Sequence, residues 1–198
     1  KDHFRCLGNI INVCIDLCDY DLNVQNLTPI ENHKLSQLQF LSINVPEIRY
    51  GSSWVNHGEI KGIVAVIRYC LGLGFHYNDI AVLTPFRGQL SFINTALKKE
   101  RFPFFSGTDP GILGQQNIIT GTVHRFQGGE RKIIIFSSVI NNGEPGFLNS
   151  RVNLLNVAVS RAMESFIFVG SLETLSKGSF TEVLKDHLIR KGQQLTLA

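Results

Sequence analysis

The sequence predicts an α/β fold in which a mainly parallel sheet is covered by helices on both faces. Short apolar segments of strand length alternate with longer segments whose apolar residues recur at the helical period. Some strand segments, such as 132–139, are apolar at nearly every position, which is typical of strands buried on both faces. The 198 residues suffice for one domain with a complete core.

The predicted elements follow one another regularly from residue 38 onward. Apolar runs that end in Gly, Pro or polar turns predict strands at 38–43, 79–84, 117–123, 132–139 and 166–170. Helical periodicity and capping signals predict helices at 55–73, 88–101 and 179–191, and a further helix at the start of 154–170. Residues 102–116, rich in Gly, Pro and Phe, predict a loop, and residues 124–130 a turn or short helix.

The N-terminal segment 1–37 carries no pattern that assigns it to an element, whereas residues 38–198 form the predicted domain. Because the sequence does not begin with Met, we expect it to be a fragment of a longer protein.

The four cysteines leave two interpretations open. Cys6, Cys14 and Cys18 could form a zinc site together with His3, but their spacing matches no CxxC pattern. We therefore predict no metal site and expect reduced, buried thiols. Such thiols are typical of an intracellular protein, either cytoplasmic or nuclear.

Charge and motif content narrow the function classes. The net charge of +3 permits an anionic partner without demanding one. No apolar run reaches the ~18 residues of a membrane span, so no membrane partner is expected. The sequence contains no GxSxG, HExxH or GxxxxGKS/T motif and no strand that ends in paired acids. We therefore do not expect an independent hydrolase, because a phosphate cradle and a magnesium site are both missing from this chain.

Three segments carry the candidate chemistry: IAVLTPFRGQ (80–89), GTVHRFQGGE (121–130) and NVAVSRA (156–162). Ligands of parallel sheets bind at the carboxyl ends of the strands, where the first two segments lie. Arg161, in the third segment, lies on the helix that feeds the last strand, and we expect it to face the same edge. Its planar guanidinium suits phosphate oxygens, although an ordinary surface ion pair is the alternative.

In this order and on these elements, the three segments resemble the second RecA-like domain of superfamily 1 helicases. The nearest branch is the one that contains senataxin and the nonsense-mediated-decay RNA helicase. The resemblance covers residues 38–191 and implies a RecA-like three-layer fold. It also implies that ATP and Mg²⁺ are bound mainly by a first, N-terminal RecA-like domain of the same protein. Without that domain, this chain is expected to be inactive.

The resemblance assigns the nucleotide side of the site to a few residues. Arg161 resembles the arginine finger that reaches the γ-phosphate, with Gln127 and Glu130 as the other catalytic residues. Gly128 and Gly129 resemble the glycines that give a tight turn with free N–H groups beside the nucleotide. Glu130 resembles the acidic residue near the nucleotide ribose or its water.

A second group resembles the residues that contact the backbone of single-stranded DNA or RNA: Thr84, Pro85, Phe86, Arg87, Gln89, Thr122 and His124. Arg87 and Gln89 lie where a phosphate could be held. Many family members carry Asp at the position of His124, so a structural or hydrogen-bonding role is favoured for this histidine.

The resemblance thus predicts the C-terminal motor lobe of an ATP-dependent helicase or translocase, and it implies 5′→3′ travel. Two alternatives remain open. One is a catalytically inert, nucleic-acid-binding or regulatory RecA-like module, and the other is an accessory lobe of a nuclease-helicase fusion.

Overall fold

The computed structural model describes residues 7–18, 33–107, 116–126, 129–150 and 152–197. The strands are β1 Leu38–Ser42, β2 Ile48–Tyr50, β3 Ser53–Val55, β4 Ile80–Thr84, β5 Phe104–Ser106, β6 Ile118–Thr122, β7 Arg131–Ser137, β8 Ala162–Gly170 and β9 Gln193–Gln194. The helices are α1 Gly8–Cys18, α2 His57–Gly72, α3 Arg87–Lys99, α4 Gly146–Asn149, α5 Val152–Ser160, α6 Leu172–Leu175 and α7 Ser179–Lys191. A 3₁₀ turn, Tyr77–Asp79, precedes β4. None of these helices has the length and apolar character needed to cross a membrane.

A seven-stranded sheet with the order β5-β6-β4-β7-β8-β1-β9 forms the centre of the domain. All of its strand pairs are parallel. This confirms the predicted α/β class, because parallel neighbours require crossover connections that lie over the faces of the sheet. Strands β2 and β3 form a separate antiparallel hairpin.

The two faces of the sheet bury different helices. Phe136 of β7 and Phe166 of β8 pack in one cluster with α1, α5 and α7. Their neighbours Ile135 and Ile167 lie in a second cluster with α2 and α3. Successive side chains of a strand point to opposite faces, so strands that are apolar throughout supply both cores. The result is the predicted three-layer arrangement.

Helix α1 lies in the segment that the sequence left unassigned. Ile10, Val13 and Leu17 follow the helical period and are at most 4% exposed. They belong to the same core cluster as the apolar residues of α5. Cys14 and Cys18 lie half-buried on this helix. Cys6 and His3, the other members of the considered zinc site, lie outside the described residues.

Two predicted boundaries are wrong. The predicted loop 102–116 contains the short strand β5, which pairs with β6. Strand β8 begins at Ala162 rather than at residue 166, because Ala162 already pairs with Arg131 of β7. Met163 and Glu164 interrupt the apolar pattern of β8, and inter-strand pairing overrides that interruption. Only Arg161 therefore separates α5 from β8.

A buried carboxylate holds the carboxyl end of β7. Glu59, in the first turn of α2, accepts hydrogen bonds from the Ser137 hydroxyl (2.5 Å) and the Ser138 hydroxyl (3.2 Å). Both of its oxygens lie 2.9 Å from the N–H of Val139. Val139 has a φ of 74°, a strained conformation for a β-branched residue. The fully buried Glu59 carboxylate thus fixes the turn by which the chain leaves the sheet.

Burial raises the pKa of the Glu59 carboxyl from 4.5 to about 7, against the opposing effect of its hydrogen bonds from Ser137, Val139, Ser138 and Asn141. The fold therefore favours the protonated form. The stabilisation that protonated Glu59 provides is fully present below its pKa in the unfolded chain. It is lost as the pH rises through its pKa in the folded protein.

We expect the unfolding free energy of the wild-type chain to fall, compared with that of Glu59→Gln, as the pH rises from about 4.5 to above about 7. The difference between the two proteins should change by about 3 kcal/mol over this range. The glutamine resembles the protonated acid but cannot ionise. Urea unfolding of both proteins between pH 4 and pH 8 measures this difference, with the exposed Glu173→Gln as control. A difference that stays constant across this range would contradict the prediction.

Candidate functional site

The candidate residues lie at two opposite edges of the sheet. Thr84 of β4 pairs with Thr122 of β6, so both mark the carboxyl edge. Arg161 directly precedes Ala162, which pairs with Arg131 at the amino edge. From Arg131 to Ser137, which pairs with Val169, β7 advances roughly 20 Å along the strand direction at ~3.3 Å per residue.

The expectation that Arg161 faces the carboxyl edge is therefore wrong. A helix that feeds a parallel strand ends where that strand begins, so its last residues lie at the amino edge. The distance between the two edges exceeds the reach of an arginine side chain. Any ligand of Arg161 is thus separate from a ligand held at Thr84 and Thr122.

Arg161 is half-buried and held by its backbone. Its carbonyl accepts from the N–H of Arg131 (3.1 Å), and its own N–H donates to the carbonyl of Ala158 (3.4 Å). Within the described part of the chain, the guanidinium makes no ion pair, and its Nε is buried without a hydrogen-bond partner. Leaving such a donor unpaired costs about 1–3 kcal/mol, which a phosphate or a facing domain would offset.

The GTVHRFQGGE segment returns to this same edge. Strand β6 ends at the carboxyl edge, whereas β7 begins at the amino edge on the other side of β4, so the connection runs back along the sheet. Phe126, only 1% exposed, anchors that return in the core. Gly129 is buried against the Phe126 ring, and a Cβ at Gly129 would lie 3.0 Å from it.

Glu130 follows, half-buried, and its carbonyl accepts from Nη1 of Arg131 (2.7 Å). Arg131 pairs with Ala162, the residue after Arg161. The pairing of β7 with β8 therefore brings Gly129, Glu130 and Arg161 to the amino edge of the sheet. Gln127 and Gly128 lie outside the described residues.

At the carboxyl edge, α3 and the turn after β6 enclose an open cleft of about 320 Å³. Its lining contains two exposed arginines and no carboxylate: Arg87, Leu90, Ser91, Asn94, Thr122 and Arg125. Thr122 is 6% exposed, so it contributes to the floor of the cleft rather than its rim. Cationic and hydroxyl donors without nearby acids suit a phosphate group.

Thr84 and Pro85 lie beneath this surface. Both are buried, and Oγ1 of Thr84 accepts from the N–H of Phe86 at 3.5 Å. They shape the turn that delivers the half-buried Phe86 and the exposed Arg87.

The structure does not support strand contact by Gln89. Its side chain is fully buried, because it lies on the inward face of α3. Oε1 accepts from the N–H of Asn56 (2.8 Å), while Nε2 donates to the Asn56 carbonyl (3.2 Å) and to the Ser137 hydroxyl (3.0 Å). Gln89 therefore joins α3 to the Glu59 network instead of holding a phosphate.

Two surface residues at this edge were missed by sequence reasoning. Arg125 follows His124 in the second segment and lines the cleft. Phe147 is 38% exposed, its ring centroid lies 5.3 Å from that of Phe86, and it meets the exposed His124 edge-on at 6.4 Å. Arg125 could have been found from its place in the segment, whereas Phe147 follows a loop without periodicity and gave no signal.

Comparisons with known proteins agree with this architecture. A family model described as an AAA domain matches residues 17–173. The chain is 31% identical over 142 residues to the Regulator of nonsense transcripts 1 homolog of Arabidopsis thaliana, covering 69% of this chain and 10% of that protein. It is 30% identical over 143 residues to the DNA replication ATP-dependent helicase/nuclease DNA2 of Xenopus tropicalis, covering 71% and 12%. The chain thus spans about a tenth of the length of these relatives.

Among solved structures, the chain is similar to the C-terminal domain of a possible DNA helicase from Lactobacillus plantarum WCFS1. The TM-score is 0.59, with 13% sequence identity, and the match covers 96% of this chain and 98% of that one. At this identity, the likeness shows the fold alone.

We expect Gly129→Ala to lower the unfolding free energy by about 1–3 kcal/mol, because the added methyl group would lie 3.0 Å from the ring of Phe126, which is buried in the core. Gly72→Ala is the matched control, since a Cβ there meets nothing within 4 Å. Urea unfolding at one pH compares the three proteins. Equal stability of Gly129→Ala and wild type would show that Gly129 is not packed on Phe126 in solution.

Proposed function

The chain belongs to the AAA domain family, within the C-terminal region of superfamily 1 helicases, and we propose that it is the second motor lobe of an ATP-dependent helicase or translocase. This proposal rests on the burial and the unpaired donor of the Arg161 side chain. Arg161 is a half-buried arginine without an ion pair among the described residues, and its Nε has no partner, at the edge where Gly129 and Glu130 also lie.

The residues at the amino edge fit the phosphate and sugar of a nucleotide. Arg161 offers a fixed positive charge with an unpaired donor. Gly129 lies at the same edge, buried against the Phe126 ring. The Glu130 carboxylate can accept hydrogen bonds from ribose hydroxyl groups. ATP with Mg²⁺ supplies the phosphoryl group whose transfer to water drives the motor.

Arg161 acts in this proposal by stabilising negative charge that develops on the phosphate. An arginine in this role is worth about 10³–10⁵ in rate, or about 4–7 kcal/mol. The sequence contains no GxxxxGKS/T motif, so the phosphate cradle and the magnesium ligands come from the N-terminal RecA-like domain of the same protein. The nucleotide is then held between two lobes.

The carboxyl edge binds a single strand of DNA or RNA in this proposal. Arg87, Arg125 and Thr122 hold phosphates in the cleft, which fixes the position of the strand without reading its sequence. The rigid sheet connects the two edges. ATP binding and hydrolysis at Arg161 change the orientation of the lobe. The strand-binding edge, which lies about 20 Å from Arg161, therefore moves with it.

In the two-lobe protein, we expect Arg161→Ala to lower the ATPase kcat at least about 10³-fold. Affinity for single-stranded DNA without nucleotide should stay within twofold, because Arg161 lies at the other edge. Arg161→Lys tests whether charge alone suffices, and the exposed Arg190→Ala is the matched control. Phosphate release and fluorescence anisotropy measure the two properties.

Retention of ATPase activity by Arg161→Ala would refute the arginine-finger role. An inert binding module would instead give a wild-type protein whose strand affinity does not respond to nucleotide at all.

The 198-residue chain on its own should not hydrolyse ATP. Its sequence lacks the cradle that holds the phosphates, and Arg161 alone cannot position an attacking water. Steady-state phosphate release by the purified chain checks this, with Arg161→Ala purified in parallel to reveal any contaminating ATPase. Turnover that disappears in the Arg161→Ala protein would contradict the divided site.

A further inference from the structure

We propose that Phe147, supported by Phe86, is a stacking platform for one base of the single strand whose phosphates bind Arg87 and Arg125. This inference rests on the proposed function and deepens its strand-binding part. It assigns a base-binding subsite to a ring that no motif identified.

Three neighbouring strands bring the rings together. Strands β6, β4 and β7 are adjacent in the sheet, and all of them end at the carboxyl edge. His124 follows β6, Phe86 follows β4, and Phe147 follows β7. The rings of Phe86 and Phe147 lie 5.3 Å apart, and His124 stands perpendicular to Phe147 at 6.4 Å. Sheet topology alone thus builds an aromatic cluster from distant parts of the sequence.

Phe147 is held outward by its local structure. It lies on the one-turn helix α4, whose next residue, Leu148, is 1% exposed and anchored in the core. The N–H of Asn149 donates to the carbonyl of Pro145 (2.7 Å), and the Ser150 hydroxyl donates to the carbonyl of Phe147 (3.0 Å). Because its inner neighbour is buried and its turn is hydrogen-bonded, the backbone that carries the ring has a defined position.

This ring is far more exposed than the phenylalanines of the core. Phe126, Phe136, Phe166 and Phe168 are at most 1% exposed, whereas Phe147 is 38% exposed. Phe86 is half-buried, and its ring is tilted by 40° against that of Phe147, which it supports. An exposed aromatic face beside cations is the arrangement that proteins use to bind single strands.

Cations alternate with rings at the same edge. Arg87 directly follows Phe86, Arg125 directly follows His124, and both arginines line the same cleft. A nucleotide likewise joins an anionic phosphate to a flat base. A single strand satisfies both features, whereas a duplex keeps its bases stacked inside and out of reach of the ring.

The test uses the 198-residue chain and two fluorescent strands of about 12 nucleotides, one of oligothymidylate and one with abasic sugars throughout. Both strands carry the same phosphates, but only the first has bases. Stacking of one base on an aromatic ring changes Kd about 5- to 150-fold. We therefore expect Phe147→Ala to weaken oligothymidylate binding at least about fivefold and to leave abasic binding within twofold.

Phe147→Trp keeps a flat ring and should retain the preference for oligothymidylate. Phe180→Ala is the matched control, because Phe180 is 37% exposed and makes no ring contact within the described part of the chain. It should bind both strands as wild type does. Thermal unfolding followed by circular dichroism establishes that each variant is folded.

Equal weakening of both strands by Phe147→Ala, or no weakening of either, would overturn the stacking platform while leaving the phosphate cleft in place. Binding of both strands with equal affinity by the wild type would do the same. Failure of the wild type to bind either strand would instead overturn the strand-binding part of the proposed function, and this inference with it.

Discussion

Both candidate surfaces depend on the parallel pairing of β7 with β8. This ladder places Arg131 opposite Ala162 at the amino edge and Ser137 opposite Val169 at the carboxyl edge. The side chains of Ile133 to Phe136 are fully buried and alternate between two cores, so a shift of one residue would exchange their faces. The most buried part of the sheet therefore fixes the distance between the two edges.

The two edges differ in how their polar groups are satisfied. At the carboxyl edge, Glu59 accepts hydrogen bonds from three donors at the end of β7, namely two hydroxyl groups and one backbone N–H. Gln89 and Asn56 complete this network. At the amino edge, Nε of Arg161 has no partner in the described part of the chain. A fully bonded network makes a rigid base, whereas an unpaired buried donor marks a place where an external partner gains most.

This difference suits the proposed division of labour. Arg161 meets a nucleotide that another lobe presents, and that contact has to form and break during each cycle. The strand-binding edge instead needs a fixed geometry, because phosphates and a base have to be held at the same time. The Glu59 network holds the chain at Val139, where it leaves β7 toward α4.

Sequence patterns alone determined the layers, because periodicity within one segment reports which faces of that segment are buried. The strand of residues 132–139 was predicted from its continuous apolar run, and the helix before Arg161 from its apolar start. The expectation for Arg161 named the wrong edge, and the family resemblance assigned Gln89 to strand contact. Neither the patterns nor the resemblance gave any sign of Phe147.

Those three features depend on pairing between residues that are distant in the chain. Ala162 extends β8 only because Arg131 lies opposite it, and Gln89 is buried only because Asn56 and Ser137 meet its amide. Phe147 reaches Phe86 because β4 and β7 are neighbours in the sheet. The sequence by itself determined which residues form buried strands and helices. Only the tertiary structure decided which edge and which partner each functional side chain meets, since strand order and register are not encoded in any single segment.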